Sequence, residues 1–364
     1  MKAETLAGEQ PQSYDLSDVQ GWIPTGLPWL DAVTGGGMPR GRTIEIYGDP
    51  DMCKTSLALQ LLRAVNGQGG WGKVDDYENS LTVQREAMFG LQDGITHKTK
   101  HPETLELGLK DTRITLTEIY RKRRRAPFVA ITDTLAAALA HAERAKEDKD
   151  EDFVKQTKKK SGETKEEKAK VGMLAKPRTM HEAMRRLTRK AALARAILVF
   201  VNQTYESPDQ YAGVVTQGGK ALKYYSSLRL KMTKAGKTVH FGRELDYRTD
   251  GFWVRIQITK SKVCRPWQVI YVPFYYDTGF DPVESLLYAL QTYKGPKVGK
   301  KQKNPVYADG GWRHIVRADG SVIRFQRDNW RRRLADDPTI LEELKDAAYR
   351  LYAPDWWQQA NSGG

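Results

Sequence analysis

The chain has 364 residues and carries 59 Lys and Arg against 45 Asp and Glu, a net charge of +14 at pH 7. That balance favours a polyanionic partner, either nucleic acid or an anionic membrane surface. No run of about eighteen apolar residues offers a bilayer span, and the opening MKAETLAGEQPQSYD has no apolar signal core. The two cysteines, Cys53 and Cys264, are too few and too far apart for a disulfide framework and suit a reducing cytosol. Six scattered histidines give no metal-ligand spacing beside them.

Residues 1–21 are polar, with a short helix expected near Leu16–Gln20. From Trp22 to about Asp277 apolar strands alternate with amphipathic helices. This predicts a mostly parallel sheet with helices on both faces. The expected strands are Thr43–Tyr47, Phe128–Thr132, Ile197–Val201, Leu228–Met232, Val254–Ile258 and Val269–Val272.

After the first strand comes GDPDMCKTS, which matches the phosphate loop G-x-x-x-x-G-K-[ST] except that Cys53 takes the place of the second glycine. Gly48, Asp49, Pro50, Asp51, Met52, Cys53, Lys54, Thr55 and Ser56 are therefore the candidate nucleotide cradle. Backbone N–H groups and a helix N-terminus converge on phosphate there. Lys54 reaches the β- and γ-phosphates in such a loop, and the Thr55 hydroxyl sits on Mg²⁺. The helix N-terminal field is expected to lower the Cys53 thiol pKa.

Asp75-Asp76-Tyr77-Glu78 follows a short strand and offers a carboxylate to activate a water. Phe128–Asp133 is a buried strand ending in a carboxylate, as a Mg²⁺ aspartate requires. Between Glu143 and Lys170 nearly every second residue is charged, which predicts a mobile loop inside the core, with a solvated helix as the alternative.

Met180, Ala183, Met184, Leu187 and Ala191 repeat with helical period. The opposite face gathers Arg178, His181, Arg185 and Arg189, placed to contact phosphates. Gly213, Gly218, Gly219, Lys220 and Lys223 form a flexible basic segment, and Tyr224 and Tyr225 either stack on bases or belong to the core. Lys260 and Lys262 lie two apart in a strand and so share a face. Gly295–Pro305 is a basic Gly/Pro-containing stretch. Beyond it Trp312–Tyr352 reads as a small mixed domain, a hairpin around Asp319-Gly320 and a helix from Pro338 to Tyr352.

Taken together and in this order, these segments resemble the RecA recombinases from Trp22 to Tyr352. TGLPWLDAVTGGGMPRGRTIEIYGDP (Thr25–Pro50) is similar to the family's approach to its phosphate loop. DYENSL (Asp76–Leu81) is similar to the catalytic-glutamate segment, which implies that role for Glu78. FVAITDTLAAAL (Phe128–Leu139) implies the Mg²⁺ role for Asp133. RTMHEAMRRLT (Arg178–Thr188) resembles the helix leaving the first DNA-binding loop, and GGKALKYYSSLRLKM (Gly218–Met232) resembles the end of the second. VFVNQ (Val199–Gln203) implies that Gln203 senses the γ-phosphate. ITKSKVCRP (Ile258–Pro266) implies that Lys260 and Lys262 reach a neighbouring subunit's nucleotide.

The resemblance implies an α/β fold: a RecA-like P-loop ATPase core over 22–281 with the charged insertion at about 143–170, a short N-terminal segment over 1–21, and a small α+β C-terminal domain over 282–364. It implies ATP and Mg²⁺ as cofactors, and single-stranded DNA, double-stranded DNA and further copies of the chain as partners, with no membrane. The expected activity is DNA-dependent ATP hydrolysis driving homologous pairing and strand exchange by a cytoplasmic filament. A paralogue that binds nucleotide and DNA with little hydrolysis is the alternative. Cys53, the long charged insertion, the short N-terminal segment and the PDWWQQANSGG ending depart from the family pattern, a divergence that suits a phage-encoded or metagenomic recombinase.

Overall fold

The computed structural model describes residues 19–140, 165–206, 214–239, 250–294, 304–317, 319–326 and 329–361. A short antiparallel pair, β1 (Trp22–Ile23) with β2 (Met38–Pro39), brackets helix α1 (Pro28–Thr34). Then follow β3 (Thr43–Gly48), α2 (Lys54–Gly67), β4 (Trp71–Asp76), α3 (Val83–Met88), β5 (His97–Lys100) and α4 (Leu105–Arg121). Next come β6 (Phe128–Asp133), α5 (Lys165–Ala194) and β7 (Ile197–Glu206). β8 (Val214–Thr216) folds back on β7, and α6 (Lys220–Tyr225) leads into β9 (Leu228–Val239). An antiparallel extension completes the sheet with β10 (Gly251–Ser261), β11 (Val269–Tyr275) and β12 (Gly279–Phe280).

The strand order is β12-β11-β10-β9-β3-β7-β6-β4-β5. β9, β3, β7, β6, β4 and β5 are mutually parallel, so the middle of the sheet is buried on both faces. The period of two is visible in β7. Ile197, Val199 and Val201 pack with Leu57, Leu61 and Val65 of α2, while Leu198 and Phe200 pack with Leu116 of α4 and Met184 and Leu187 of α5. Each helix thus covers apolar surface that the adjoining strands present.

At residue 281 the chain changes character. Asp281 caps α7 (Pro282–Thr292) by accepting from the Val283 and Glu284 amides, and Pro282 begins the helix where no amide is needed. Leu286 and Leu290 of α7 join Val306, Ile315 and Phe325 of a three-stranded meander, β13 (Val306–Asp309), β14 (Trp312–Val316) and β15 (Val322–Gln326). Ile340 and Leu344 of α9 (Thr339–Tyr352) close this cluster, with α8 (Trp330–Asp336) before it. The β14–β15 hairpin and α9 lie where the sequence pattern puts them.

The last helix, α10 (Asp355–Asn361), docks on the front of the core. Trp356 stacks on Trp22 with centroids 5.6 Å apart and 13° between planes, and its Nε1 donates to the Val263 carbonyl at 2.9 Å. Arg265 bonds to Asp355.

Three expectations need correction or bounding. Asp75 and Asp76 do not follow a strand; they are its last two residues. The charged segment 143–164 lies outside the described residues, but Lys165–Lys170 begins α5 and is not loop. Its KEEKAK composition consists of good helix formers, which polarity alone does not reveal. The short helix expected near Leu16–Gln20 lies mostly outside the described residues, and Val19 and Gln20 are not helical.

Candidate nucleotide site and basic face

Sheet register assembles the site. Gly48 at the end of β3 stands opposite Gln203 on β7 and Met232 on β9, and Asp76 on β4 stands opposite Asp133 on β6. Parallel strands put all these ends on one edge, the carboxyl edge where open α/β sheets hold ligands. Glycine is needed at 48, because φ is 157° and a Cβ would meet the Met232 carbonyl oxygen at 2.1 Å.

In the loop, Asp49, Pro50 and Asp51 are exposed, Met52 and Thr55 half-buried, and Cys53, Lys54 and Ser56 buried. Lys54 Nζ donates to the Asp49 carbonyl, and the Asp49 carboxylate accepts from Thr204 Oγ1. Burial lowers the Lys54 pKa, against the opposing pull of the Glu78 and Asp133 carboxylates.

Cys53 is left-handed at φ 55° and ψ 25°. That conformation costs a non-glycine residue roughly 1–2 kcal/mol, which is why glycine is the usual occupant. The expected lowering of its thiol pKa is overturned. Burial pushes it up to about 12, and Arg85 and Lys54 only partly offset this. The thiol sits in the apolar cluster with Leu57 and Leu81, so desolvation outweighs the helix field.

Glu78 is held at the centre. Asp76 Oδ1 accepts from the Glu78 amide at 3.1 Å and Oδ2 from the Leu81 amide at 3.0 Å, which fixes the turn after β4. Glu78 Oε1 accepts from Thr134 Oγ1 and from Gln203 Nε2, each at 2.8 Å. Asp133 is buried, its Oδ1 has no partner, and the Thr55 side chain lies beside it. Burial pushes the Asp133 carboxyl up to about 7, opposed by Thr55 and reinforced by Glu78 and Asp76. An orphaned carboxylate oxygen beside a hydroxyl is the donor set that suits Mg²⁺, so the residues fit that ion.

Behind Gln203 lies a buried polar network. Asn202 Nδ2 donates to Glu45 Oε1 at 3.1 Å and to the Gln217 carbonyl at 3.0 Å. Glu45 Oε2 accepts from Arg229 Nε, and the Arg229 guanidinium lies 4.4 Å above the Tyr47 ring. These contacts tie β3, β7 and β9 to the turn that precedes α6.

On α5, Met180, Met184, Leu187 and Ala191 are buried and Ala183 half-buried, while Arg178, His181, Arg185 and Arg189 are exposed. Gly213 lies outside the described residues. Gly218 and Gly219 both have positive φ, 81° and 65°, and form a tight turn, in which a Cβ on Gly218 would meet Leu135 Cδ2 at 2.7 Å. Lys220 and Lys223 are not part of an irregular segment but are exposed on α6. α6 packs on α5, with the His181 ring 6.2 Å from Tyr225 and Tyr225 5.2 Å from the exposed Tyr224. Arg178, His181, Arg185, Lys220 and Lys223 are thus exposed basic residues on two helices that pack together.

The two lysines of β10 separate. A register shift between Ile258 and Lys260 and the end of β10 at Ser261 leave Lys262 beyond the strand, so they do not share a strand face as expected. Lys260 Nζ instead donates to the Lys223 and Tyr224 carbonyls, at the C-terminus of α6.

A profile described as the RecA N-terminal domain matches residues 12–281. The chain belongs to the RecA family. Protein RecA of Thermus thermophilus is 32% identical over 291 residues, covering 77% of this chain and 73% of that protein. Protein RecA of Lactobacillus acidophilus is 29% identical over 339 residues, 92% and 80% of the two chains. Protein RecA of Crocosphaera subtropica is 28% identical over 330 residues, 89% and 80%. Among the described residues no helix is long and apolar enough to cross a membrane, and both cysteines are free.

Sequence patterns identified the loop and the carboxylates but missed Thr134, Thr204, Asn202, Glu45 and Arg229. Apart from Glu45 inside an otherwise apolar strand, none carries a local signal. They matter only because the register brings distant strands together.

Proposed function

We propose that this RecA-family chain is a DNA-dependent ATPase that assembles on single-stranded DNA and promotes homologous pairing and strand exchange with duplex. In this reading 22–281 is the ATPase core and 282–364 a C-terminal domain. The observation that carries it is the 2.8 Å bond from Gln203 to Glu78, made by a strand that pairs with Gly48 and leads toward the basic face. Lys54 would bind phosphate. Thr55 and Asp133 would hold Mg²⁺, which supplies charge neutralisation of the phosphates when bound.

Glu78 would orient the attacking water once Gln203 turns its amide toward the phosphate and leaves Oε1 with only its Thr134 bond. The same movement alters β7 just before the DNA-facing segment, so nucleotide and DNA affinities would be reciprocal. The exposed basic residues of α5 and α6 would hold DNA phosphates without reading sequence. Lys260 and Lys262 would complete a neighbour's site.

ATP turnover measured with and without single-stranded DNA, beside a strand-exchange assay, tests the proposal. Stimulated turnover with exchange is the expected result. A second reading, nucleotide binding with little hydrolysis, is favoured by the left-handed Cys53 in a loop built for glycine. Tight ATP binding without turnover would select it.

A further inference from the structure

At the opposite edge of the sheet lies a second basic feature. The end of α4 and the turn before β6 carry Arg121, Lys122, Arg123, Arg124 and Arg125, five consecutive cations, all exposed. None forms an ion pair among the described residues. Arg40 adds to them, donating from Nη2 to the Arg125 carbonyl at 2.9 Å and from Nε to the Arg195 carbonyl at 3.4 Å. Beside this run is a slot of about 160 Å³, walled by Trp71, Ile119, Pro127 and Phe128 and rimmed by Lys122 and Arg124, with Glu118 also lining it. Trp71 is 38% exposed, and its ring lies 5.9 Å from that of Phe128.

An unpaired run of like charges raises the free energy of the isolated protein through self-repulsion, and a polyanion relieves it. Trp71 and Phe128 begin β4 and β6, whereas Asp76 and Asp133 end them. At roughly 3.3 Å per residue the slot is on the order of 17 Å from the nucleotide site. Its lining comes from α4, β4, β6 and the turn between α4 and β6, with no residue of α5 or α6. A nucleotide held at the carboxyl edge cannot reach it.

We propose that the 121–125 turn and the Trp71 slot form an additional binding site for single-stranded nucleic acid, with phosphates on the cations and an unpaired base against Trp71. The exposed indole selects the single strand, because duplex bases are already stacked and paired. Aromatic stacking beside a basic track is how sequence-tolerant single-strand binding works.

The full-length protein is photocrosslinked to a short bromouracil-substituted oligodeoxynucleotide, and the attached peptides are identified. Crosslinks are expected at Trp71 or within 121–128, and are lost in Trp71→Leu. Arg121→Ala/Lys122→Ala/Arg124→Ala should flatten the log–log salt dependence of binding by about 2, from three lost contacts at roughly 0.7 each. Trp71→Phe should retain the crosslinked site, which separates stacking from a packing defect. Melting temperature and DNA-free ATP turnover of the triple variant are expected to match the parent. Crosslinks confined to 178–225 together with an unchanged salt slope would overturn the inference. A polyglutamate peptide that competes equally, with no effect of Trp71→Leu, would overturn it in favour of an acidic protein partner. A crosslink at Trp71 in a protein that fails strand exchange would leave this inference standing and the proposed function refuted.

Discussion

The reversed ionisation of Cys53 gives a quantitative test of the loop geometry. The thiol is buried behind the phosphate loop, and desolvation pushes its pKa up to about 12. At pH 8 its thiolate fraction is then ~10⁻⁴, whereas an ordinary cysteine near 8.5 is roughly a quarter ionised. Alkylation proceeds through the thiolate, so iodoacetamide should modify Cys53 on the order of 10³-fold more slowly than a free thiol. The assay is a time course at pH 8 under reducing pretreatment, with the Cys53 peptide followed by mass spectrometry and the denatured protein as reference for full reactivity. ATP should change the rate little, since the native thiol is already protected. Labelling of the native protein at the free-thiol rate, with ATP protection, would refute the burial argument and restore the view that the helix N-terminus activates this sulfur. Cys53→Gly should keep or raise turnover, because it removes a Cβ from a left-handed position.

Glu78→Gln should keep ATP and DNA binding and lower turnover by roughly 10²–10⁴-fold, since it removes the base and retains the shape; single-turnover hydrolysis beside nucleotide titration checks this. Lys260→Ala should weaken both DNA binding and filament formation by freeing the end of α6, whereas Lys262→Ala should affect filaments alone; electron microscopy beside DNA titration separates the two. Asp31 is buried and accepts from the Thr25 amide and hydroxyl, yet burial raises its pKa to about 6. The native state therefore holds a proton that the unfolded state has released between about pH 4 and 6, and stability from this group falls as pH rises through that window. The stability of the parent minus that of Asp31→Asn should fall by roughly 2 kcal/mol from pH 4 to pH 7 by denaturant titration, and a flat difference would refute the burial assignment.

Much of this architecture is written in local pattern. The apolar runs of β3, β6 and β7 and the helical period of Met180, Met184, Leu187 and Ala191 depend on which face is buried, and that is visible residue by residue. The phosphate loop is legible because its function constrains consecutive residues. The bonds that organise Glu78 are different, since Gln203 lies 125 residues away along the chain and Thr134 lies 56 away. Nothing local in either residue reports that register. Lys262 misled for a related reason. Alternation predicts a shared face with Lys260, but a bulge and the strand end intervene. Cys53 shows competing physics, in which a helix field is readable from sequence and a desolvation penalty is not.

The stacking of Trp356 on Trp22 gives the protein an optical gauge of its own. Two indoles with centroids 5.6 Å apart and 13° from parallel are close enough for their electronic transitions to couple. One ring belongs to the first described strand and the other to the last described helix, whose Nε1 is bonded to Val263, one residue past Lys262. Near-ultraviolet circular dichroism should therefore carry a band that Trp356→Leu deletes. That band would register, without any label, whether α10 stays seated beside Lys262 as the protein takes up nucleotide, DNA or another copy of itself.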